Sequence, residues 1–173
     1  MLQKILKKWE IFIMKNEIDE IIDKYAKIIY RVAYIYLKSK TDAEDIVQEF
    51  FIKYMMNNKP FNDENHRKNW IMRVTVQLCI NLSKSAWKKN VVSLDYETID
   101  LQTEEQYKIL YDLDCLSKNY KMVVQLFYFE DFSIEEISKI LGISESNVKT
   151  RLNRARNELK RDFEKGERLN GKI

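Results

Sequence analysis

Apolar residues recur along the chain at the spacing of amphipathic helices. In the first long segment they fall at i, i+3, i+4 and i+7, which places them on one helix face. The positions of this stripe are Ile18, Ile21, Ile22, Tyr25, Ile28, Ile29, Val32, Ala33 and Tyr36. The pattern predicts a helix that ends within residues 37–40. Residues 1–15 have similar apolar spacing and form an N-terminal extension. This extension is either an additional helix or, if translation begins at Met14, a segment that precedes the true first residue.

Two further helices are predicted in the first half of the chain. One follows Thr41, a residue type that often caps a helix, and buries Ile46, Phe50, Phe51 and Tyr54. The other spans residues 67–88. Its apolar positions are Trp70, Ile71, Val74, Leu78, Leu82 and Ala86. Residues 57–66 contain the only proline and several Asn and Asp residues, which indicates a loop.

A polar stripe runs along the opposite side of the third predicted helix. Its members are Arg73, Gln77, Asn81, Lys84 and Lys88, spaced by three or four residues. Lys and Arg could contact phosphates, and Gln and Asn could bond base edges. Trp70 and Trp87 could stack on unpaired bases. The alternative is a solvent-facing stripe with both tryptophans in the core.

The helical pattern fades over residues 91–106, where acidic residues accumulate. Such a segment rarely builds a core, so it predicts a linker between two small domains, at residues 16–90 and 107–173. Helical signal resumes near Gln106 and includes a strongly apolar run from Leu116 to Tyr128.

Residues 133–161 have the pattern of a helix-turn-helix. Ser133 and Glu136 form a capping box, Gly142 suits a turn, and Ser144 caps a second helix. The second helix of such a motif enters the major groove of DNA with polar residues near its N-terminus. Here those residues are Ser146, Asn147, Lys149, Thr150, Arg151, Asn153 and Arg154. The alternative is the solvated face of an ordinary helical hairpin.

The composition narrows the class of protein. Only 3 of 173 residues are glycine and one is proline, which favours an all-α fold with short connections. The net charge of +3 is too small for nucleic-acid binding by charge alone. Cys79 and Cys115 are predicted to be buried thiols in a reducing cytoplasm. With one histidine and no close cysteine pair, neither a metal site nor a cofactor is expected. The chain has no apolar run long enough to span a membrane.

The acidic start of the second helix is the remaining candidate surface. Its polar members are Asp42, Asp45, Gln48 and Glu49. Helix capping explains Asp42, and the other three suit a protein contact. No nucleophile pair, metal-ligand set or glycine-rich phosphate loop accompanies them, so the chain is not expected to be an enzyme.

Three segments, in order, resemble the sigma-70 family, and in particular the extracytoplasmic-function (ECF) sigma factors of RNA polymerase. DAEDIVQEFFIK at residues 42–53, and WIMRVT with LCINL at residues 70–82, resemble region 2. FSIEEISKILGISESNVKTRLNRARNELK at residues 132–160 resembles region 4. Gln77, Asn81 and Val76 depart from the residues that the family commonly has at these positions.

The resemblance implies a role for each surface. The helix at residues 42–56 would dock on core RNA polymerase through Asp42, Asp45, Gln48 and Glu49. The third helix, with Asn62 of a base-holding loop, would bind the -10 promoter element. The last helix would read the -35 element, and the acidic linker would thread into the polymerase. An anti-sigma factor is a further implied partner.

The residues themselves, without the resemblance, are also compatible with two other functions. A stand-alone regulator would use only the helix-turn-helix and bind DNA tightly without polymerase. An adaptor would bind polymerase and contact no DNA. Substituting Lys149 or Arg154 would impair the first of these and leave the adaptor unaffected.

Overall fold

The computed structural model describes residues 2–87 and 113–170, with side chains at 18–85 and 113–164. Within these ranges every regular element is helical, which confirms the all-α prediction. The elements are α1 (Leu2–Leu37), α2 (Lys40–Met55), α3 (Glu64–Trp87), α4 (Lys118–Val124), a π-helical turn (Gln125–Phe129), α5 (Ile134–Leu141) and α6 (Glu145–Asn170). The N-terminal extension is therefore helical and continuous with α1.

The first three helices pack around one apolar core. Ile29 of α1, Phe50 of α2 and Ile71 of α3 are all fully buried, as the periodicity predicts. Each such side chain contributes about 1.5–3 kcal/mol of apolar burial. Trp70 lies against Phe50 with ring centroids 6.2 Å apart, so its indole belongs to the edge of this core.

The predicted cap of α2 is wrong by two residues. Ser39 is the N-cap, and its Oγ accepts a hydrogen bond from the Asp42 N–H at 3.2 Å. Lys38 precedes it with φ of +59°, a left-handed conformation that turns the chain sharply out of α1. The hairpin between α1 and α2 is thus tighter than a cap at Thr41 would allow.

The start of α3 also differs from the prediction. The helix begins at Glu64 rather than near Arg67, because Asp63 accepts from the His66 N–H through Oδ1 at 2.6 Å. The buried face of α3 is wider than its predicted stripe. It includes Val76 and Thr75, whose Oγ1 donates to the Ile71 carbonyl at 2.9 Å.

The second half is a smaller helical unit built on α4 and the helix-turn-helix. Gln125 and Leu126 in the π-helical turn are buried. The turn closes with the Glu130 N–H donating to the Gln125 carbonyl at 3.2 Å. Val148 and Leu152 of α6 pack into this unit and are almost fully buried.

The two halves contact each other directly. Helix α1 packs on α4, and α3 packs on α5. Arg31 of α1 reaches the buried Glu130 carboxylate, with Nη2 at 2.7 Å from Oε1. The predicted linker at residues 91–106 and its acidic character lie outside the described residues.

One cysteine prediction is confirmed and the other is wrong. Cys79 is fully buried in the first core, where burial raises the pKa of its thiol to about 12. Cys115 is exposed, because it lies in the turn before α4 rather than within a helix. No helix in the described part of the chain is long and apolar enough to cross a membrane.

Candidate nucleic-acid interface

The helix-turn-helix has the geometry that its sequence predicts. Ser133 Oγ accepts from the Glu136 N–H at 3.2 Å, and the Ser133 N–H donates to Glu136 Oε2 at 2.9 Å. Gly142 ends α5 with φ of +64°, a conformation that only glycine adopts without strain. Ser144 Oγ accepts from the Asn147 N–H at 3.2 Å and starts α6. The two helices are therefore fixed at both ends of the turn.

The predicted groove-facing residues share one face at the start of α6. All are exposed except Arg151, which is half-buried: Ser146, Asn147, Lys149, Thr150, Asn153 and Arg154. Arg151 Nε donates to Asn147 Oδ1 at 2.9 Å, which orients both side chains. Thr150 Oγ1 donates to the Ser146 carbonyl at 2.8 Å. This polar N-terminal face meets the requirement for entering a major groove.

The polar stripe on α3 is also exposed along its described length. Its described members are Arg73, Gln77, Asn81 and Lys84. Gln77 Nε2 donates to Asn81 Oδ1 at 2.8 Å, so these two amides form a pair on the surface. Lys88 lies outside the described residues. Trp70 is half-buried at the edge of the first core, and nothing is described of the Trp87 side chain.

The loop between α2 and α3 has a defined conformation. Phe61 packs between Tyr54 and Trp70, with centroids 6.0 and 5.4 Å away. The exposed Asn62 donates its backbone N–H to His66 Nδ1 at 3.2 Å. These contacts anchor the loop on the aromatic end of the first core.

A cavity of about 440 Å³ opens beside this loop. That volume lies in the range of small-molecule pockets. Its lining combines aromatic, apolar and amide groups from Ile18, Tyr54, Met55, Asn57, Asn58, Lys59, Pro60, Phe61 and Arg67. Such a lining can stack against a planar base and bond its edge.

A second cleft, of about 620 Å³, separates the same loop from the helix-turn-helix. Arg73 and Asn69 line one side, and Glu136 and Lys139 line the other. Asn69 Nδ2 donates to Glu136 Oε1 at 3.1 Å across the base of the cleft. Helix α3, which carries the polar stripe, therefore contacts α5, the helix that precedes the groove-facing helix α6.

Glu136 is the most strongly perturbed titratable group here. Burial acts to raise its pKa, but the Ser133 backbone N–H and the Asn69 and Ser133 side chains donate hydrogen bonds to its carboxylate. These bonds prevail and lower the pKa to about 2. Glu136 is thus ionised at neutral pH. Its hydrogen bonds with Ser133 and Asn69 connect the capping box of α5 with helix α3.

The acidic face of α2 lies away from this cleft. Asp45, Gln48 and Glu49 are exposed, and Asp42 is half-buried in the first turn. Sequence reasoning missed three exposed apolar side chains further along the helix: Ile52, Met55 and Met56, which are 54%, 53% and 73% exposed. Their positions outside the buried stripe of α2 are the signal that could have identified them.

Family models match both halves of the chain. The model described as Sigma-70 region 2 matches residues 21–89, and the one described as Sigma-70, region 4, matches residues 109–159. The first contains all of α2, all of α3 and the loop between them. The second contains the helix-turn-helix.

Curated relatives align over most of the chain. The RNA polymerase sigma factor SigV of Bacillus subtilis is 34% identical over 140 residues, covering 78% of this chain and 83% of SigV. The ECF RNA polymerase sigma factor SigW of the same organism is 29% identical over 169 residues, covering 83% of this chain and 87% of SigW.

A solved structure shares the fold. RpoE of Bartonella quintana, determined in complex with the anti-sigma factor NepR, superposes with a TM-score of 0.65 at 18% identity. The superposition covers 84% of this chain and 95% of RpoE.

Proposed function

This chain belongs to the sigma-70 family as an ECF sigma factor, which binds core RNA polymerase and directs initiation at promoters with -10 and -35 elements, and we propose how its surfaces divide that work. Residues 16–90 act as region 2 and residues 107–173 as region 4. Residues 91–106 act as the linker between them, and residues 1–15 as an extension of the first helix.

The N-terminal face of α6 reads the -35 element. Lys149, Thr150, Asn153 and Arg154 are exposed on this face and can reach base edges, with Ser146, Asn147 and Arg151 beside them. An arginine can bond guanine through two donors, which is worth about 1–3 kcal/mol of discrimination. The single observation that carries the proposal is this exposed polar face on a helix fixed by two caps and Gly142.

The exposed stripe on α3 and the adjoining loop bind the -10 element. Arg73, Lys84 and Lys88 supply charge for phosphates, and Gln77 and Asn81 supply amides for bases. Asn62 in the loop helps to hold a base that has left the helix stack. The cavity of about 440 Å³ beside the loop has room and aromatic walls for such a base. Binding there offsets an unstacking cost of about a few kcal/mol.

Helix α2 docks on core polymerase through Asp42, Asp45, Gln48 and Glu49. Ile52 and Met56 lie three and seven positions after Glu49, which places them on the same face of the helix. A contact with an acidic end and an apolar end fits a basic helix that also carries exposed apolar side chains. The apolar part supplies burial, and the acidic part supplies orientation.

The remaining assignments follow from membership of the family. The chain carries out no catalysis itself and acts in the cytoplasm, where polymerase is. An anti-sigma factor regulates it by binding. The Bartonella quintana RpoE was determined with such a partner, NepR, and that structure has the same fold.

Run-off transcription with purified core polymerase and genomic fragments tests the proposal. We expect transcripts from a subset of fragments only when the chain is added. The chain alone should bind the same fragments weakly. Tight, specific binding without polymerase would favour a stand-alone regulator. Transcripts that survive substitution of both Lys149 and Arg154 by alanine would favour an adaptor that contacts no DNA.

A further inference from the structure

Tyr128 and Arg156 form a polar pair on the surface of the second half of the chain. Arg156 Nε donates to the Tyr128 hydroxyl oxygen at 2.7 Å, and Arg156 Cζ lies 5.8 Å from the centroid of the Tyr128 ring. Tyr128 belongs to the π-helical turn, and Arg156 belongs to α6, 28 positions later. A hydrogen bond and a cation–π contact therefore hold the guanidinium in one orientation from a separate element.

The pair is open to solvent and can still form hydrogen bonds with a ligand. Tyr128 is 49% exposed, although its neighbours Val124 and Leu126 are buried. Arg156 is exposed as well, and in the described part of the chain no carboxylate pairs with it. The Tyr128 oxygen accepts from Arg156 through a lone pair, so its O–H can still donate. The terminal nitrogens of the guanidinium can donate beside it.

Arg156 lies on the face of α6 that we propose to enter the major groove. It follows Lys149 by seven positions and Asn153 by three, which places all three on one side of the helix. Seven residues span about 10 Å along a helix axis at about 1.5 Å per residue. The major groove is about 12 Å wide. With the start of α6 at the base edges, Arg156 therefore lies where the phosphate backbone borders the groove.

A phosphate of the DNA backbone suits this pair chemically. A phosphodiester carries a negative charge on acceptor oxygens, and a planar guanidinium can bond two of them in parallel. Tyrosine hydroxyls are among the groups that donate to phosphates in protein–DNA complexes. Lys149 and Lys160, seven positions before and four positions after Arg156, are also cations. The local charge on this face therefore favours an anion.

Resting on the proposed function, we propose that Tyr128 and Arg156 form a phosphate-binding site that positions α6 on the DNA backbone beside the -35 element. Arg156 supplies the positive charge. Tyr128 orients the guanidinium and donates its own hydroxyl hydrogen bond to the same phosphate. Such a contact fixes the register of the helix in the groove, while the residues at the start of α6 read the bases.

The salt dependence of holoenzyme binding to a labelled promoter duplex tests this site. Each phosphate contact contributes about 0.9 to the slope of log affinity against log salt concentration. Arg156→Ala should therefore reduce the magnitude of this slope by about 0.9 and weaken binding roughly tenfold. Tyr128→Phe keeps the ring and the charge, so it should weaken binding by about two- to tenfold with the wild-type slope. Arg156→Lys should also keep that slope.

Lys27→Ala is the matched control for charge. Lys27 is exposed on α1, away from the surfaces that we assign to DNA, and its removal changes the net charge by the same amount. Its slope and affinity should equal those of wild type. Circular dichroism of each variant checks that the helical content is retained.

A scan of the DNA tests the same contact with the wild-type protein. Phosphates beside the -35 element are replaced one at a time by uncharged methylphosphonates. One replacement should weaken binding of the wild-type holoenzyme and have no effect on the Arg156→Ala holoenzyme, because the variant no longer contacts that phosphate.

An Arg156→Ala holoenzyme with the wild-type slope, or with the wild-type response to every methylphosphonate, would overturn the site. Reduced affinity of Arg156→Ala for core polymerase with unchanged DNA binding would also overturn it, since the pair would then contact a protein. The proposed function fails on a different result, which is a wild-type holoenzyme that binds promoters with intact and scrambled -35 sequences equally well.

Discussion

Arg154 is the residue at which the -35 assignment is most sharply testable. It is exposed on the N-terminal face of α6, where a guanidinium can reach a base in the major groove. Arg154→Ala should weaken -35 recognition by about 1–3 kcal/mol and relax the preference at one base position. Competition binding of holoenzyme to promoters mutated one base at a time measures both effects. Lys160→Ala, further along the same helix, should weaken binding evenly across sequences.

On α2, Asp45 and Glu49 should contribute to polymerase affinity with little effect on folding. Both are exposed, and the ion pair of Glu49 with Lys53 at 3.7 Å is a surface pair worth about 0–1 kcal/mol. Asp45→Ala with Glu49→Ala should lower the affinity for core polymerase and leave the unfolding temperature nearly unchanged. Glu44→Ala is the control on the same helix. Normal binding of core by the double variant would show that the docking surface lies elsewhere.

At the scale of the elements, Gly142 sets the turn between α5 and α6. A Cβ at this position would meet nothing within 4 Å, so the cost of a side chain comes from φ of +64° alone. Gly142→Ala should lower the free energy of unfolding by about 1–2 kcal/mol. Gly142→Asn should cost less, because asparagine tolerates the left-handed region. Denaturant unfolding of the three chains compares them, and equal stability of all three would contradict this account.

Glu136, in the first turn of α5, should make the free energy of unfolding decrease as the pH falls. The pKa of Glu136 is about 2 in the folded chain, below its ordinary value of 4.5. A depressed carboxyl pKa stabilises the fold above the ordinary value and loses this contribution as pH falls toward 2. The unfolding temperature of wild type should therefore drop more between pH 6 and pH 3 than that of Glu136→Gln. Glutamine can still close the capping box, so the variant removes the titration and keeps the cap. Parallel pH profiles would refute this assignment.

The helices could be predicted because the signals that indicate a helix lie in residues close together in the sequence. The i, i+3, i+4 stripes gave α1, α2 and α3, and Ser133, Gly142 and Ser144 gave the limits of the helix-turn-helix. The helix starts at Lys40 and Glu64 were missed because Ser39 and Asp63 cap them in competition with other polar residues nearby. The contact of Arg31 with Glu130 joins residues 99 positions apart, and no periodic pattern encodes such a pair.

Some features of the candidate site could likewise be predicted from the sequence, and others could not. The exposure of the α6 residues that we propose to face the groove could be predicted from their spacing alone. The exposure of Ile52 and Met56 could not, because apolar residues on a helix are first assigned to its core. Val76 departs from the residue that the family commonly has at this position, and the structure buries its side chain.

For the whole molecule, the account assigns promoter recognition to two surfaces of one chain, the N-terminal face of α6 for the -35 element and the polar stripe on α3 for the -10 element. A defined start site is therefore expected to depend on both elements and on core polymerase.

The most direct measurement of the central claim is mapping of transcription start sites with core polymerase on one promoter template and two scrambled versions of it. The account predicts one defined start site when core and the chain are both present. That start should be lost when either the -10 or the -35 sequence is scrambled, and absent with core alone. An unchanged pattern of starts on adding the chain, or a start that survives scrambling of both elements, would contradict it.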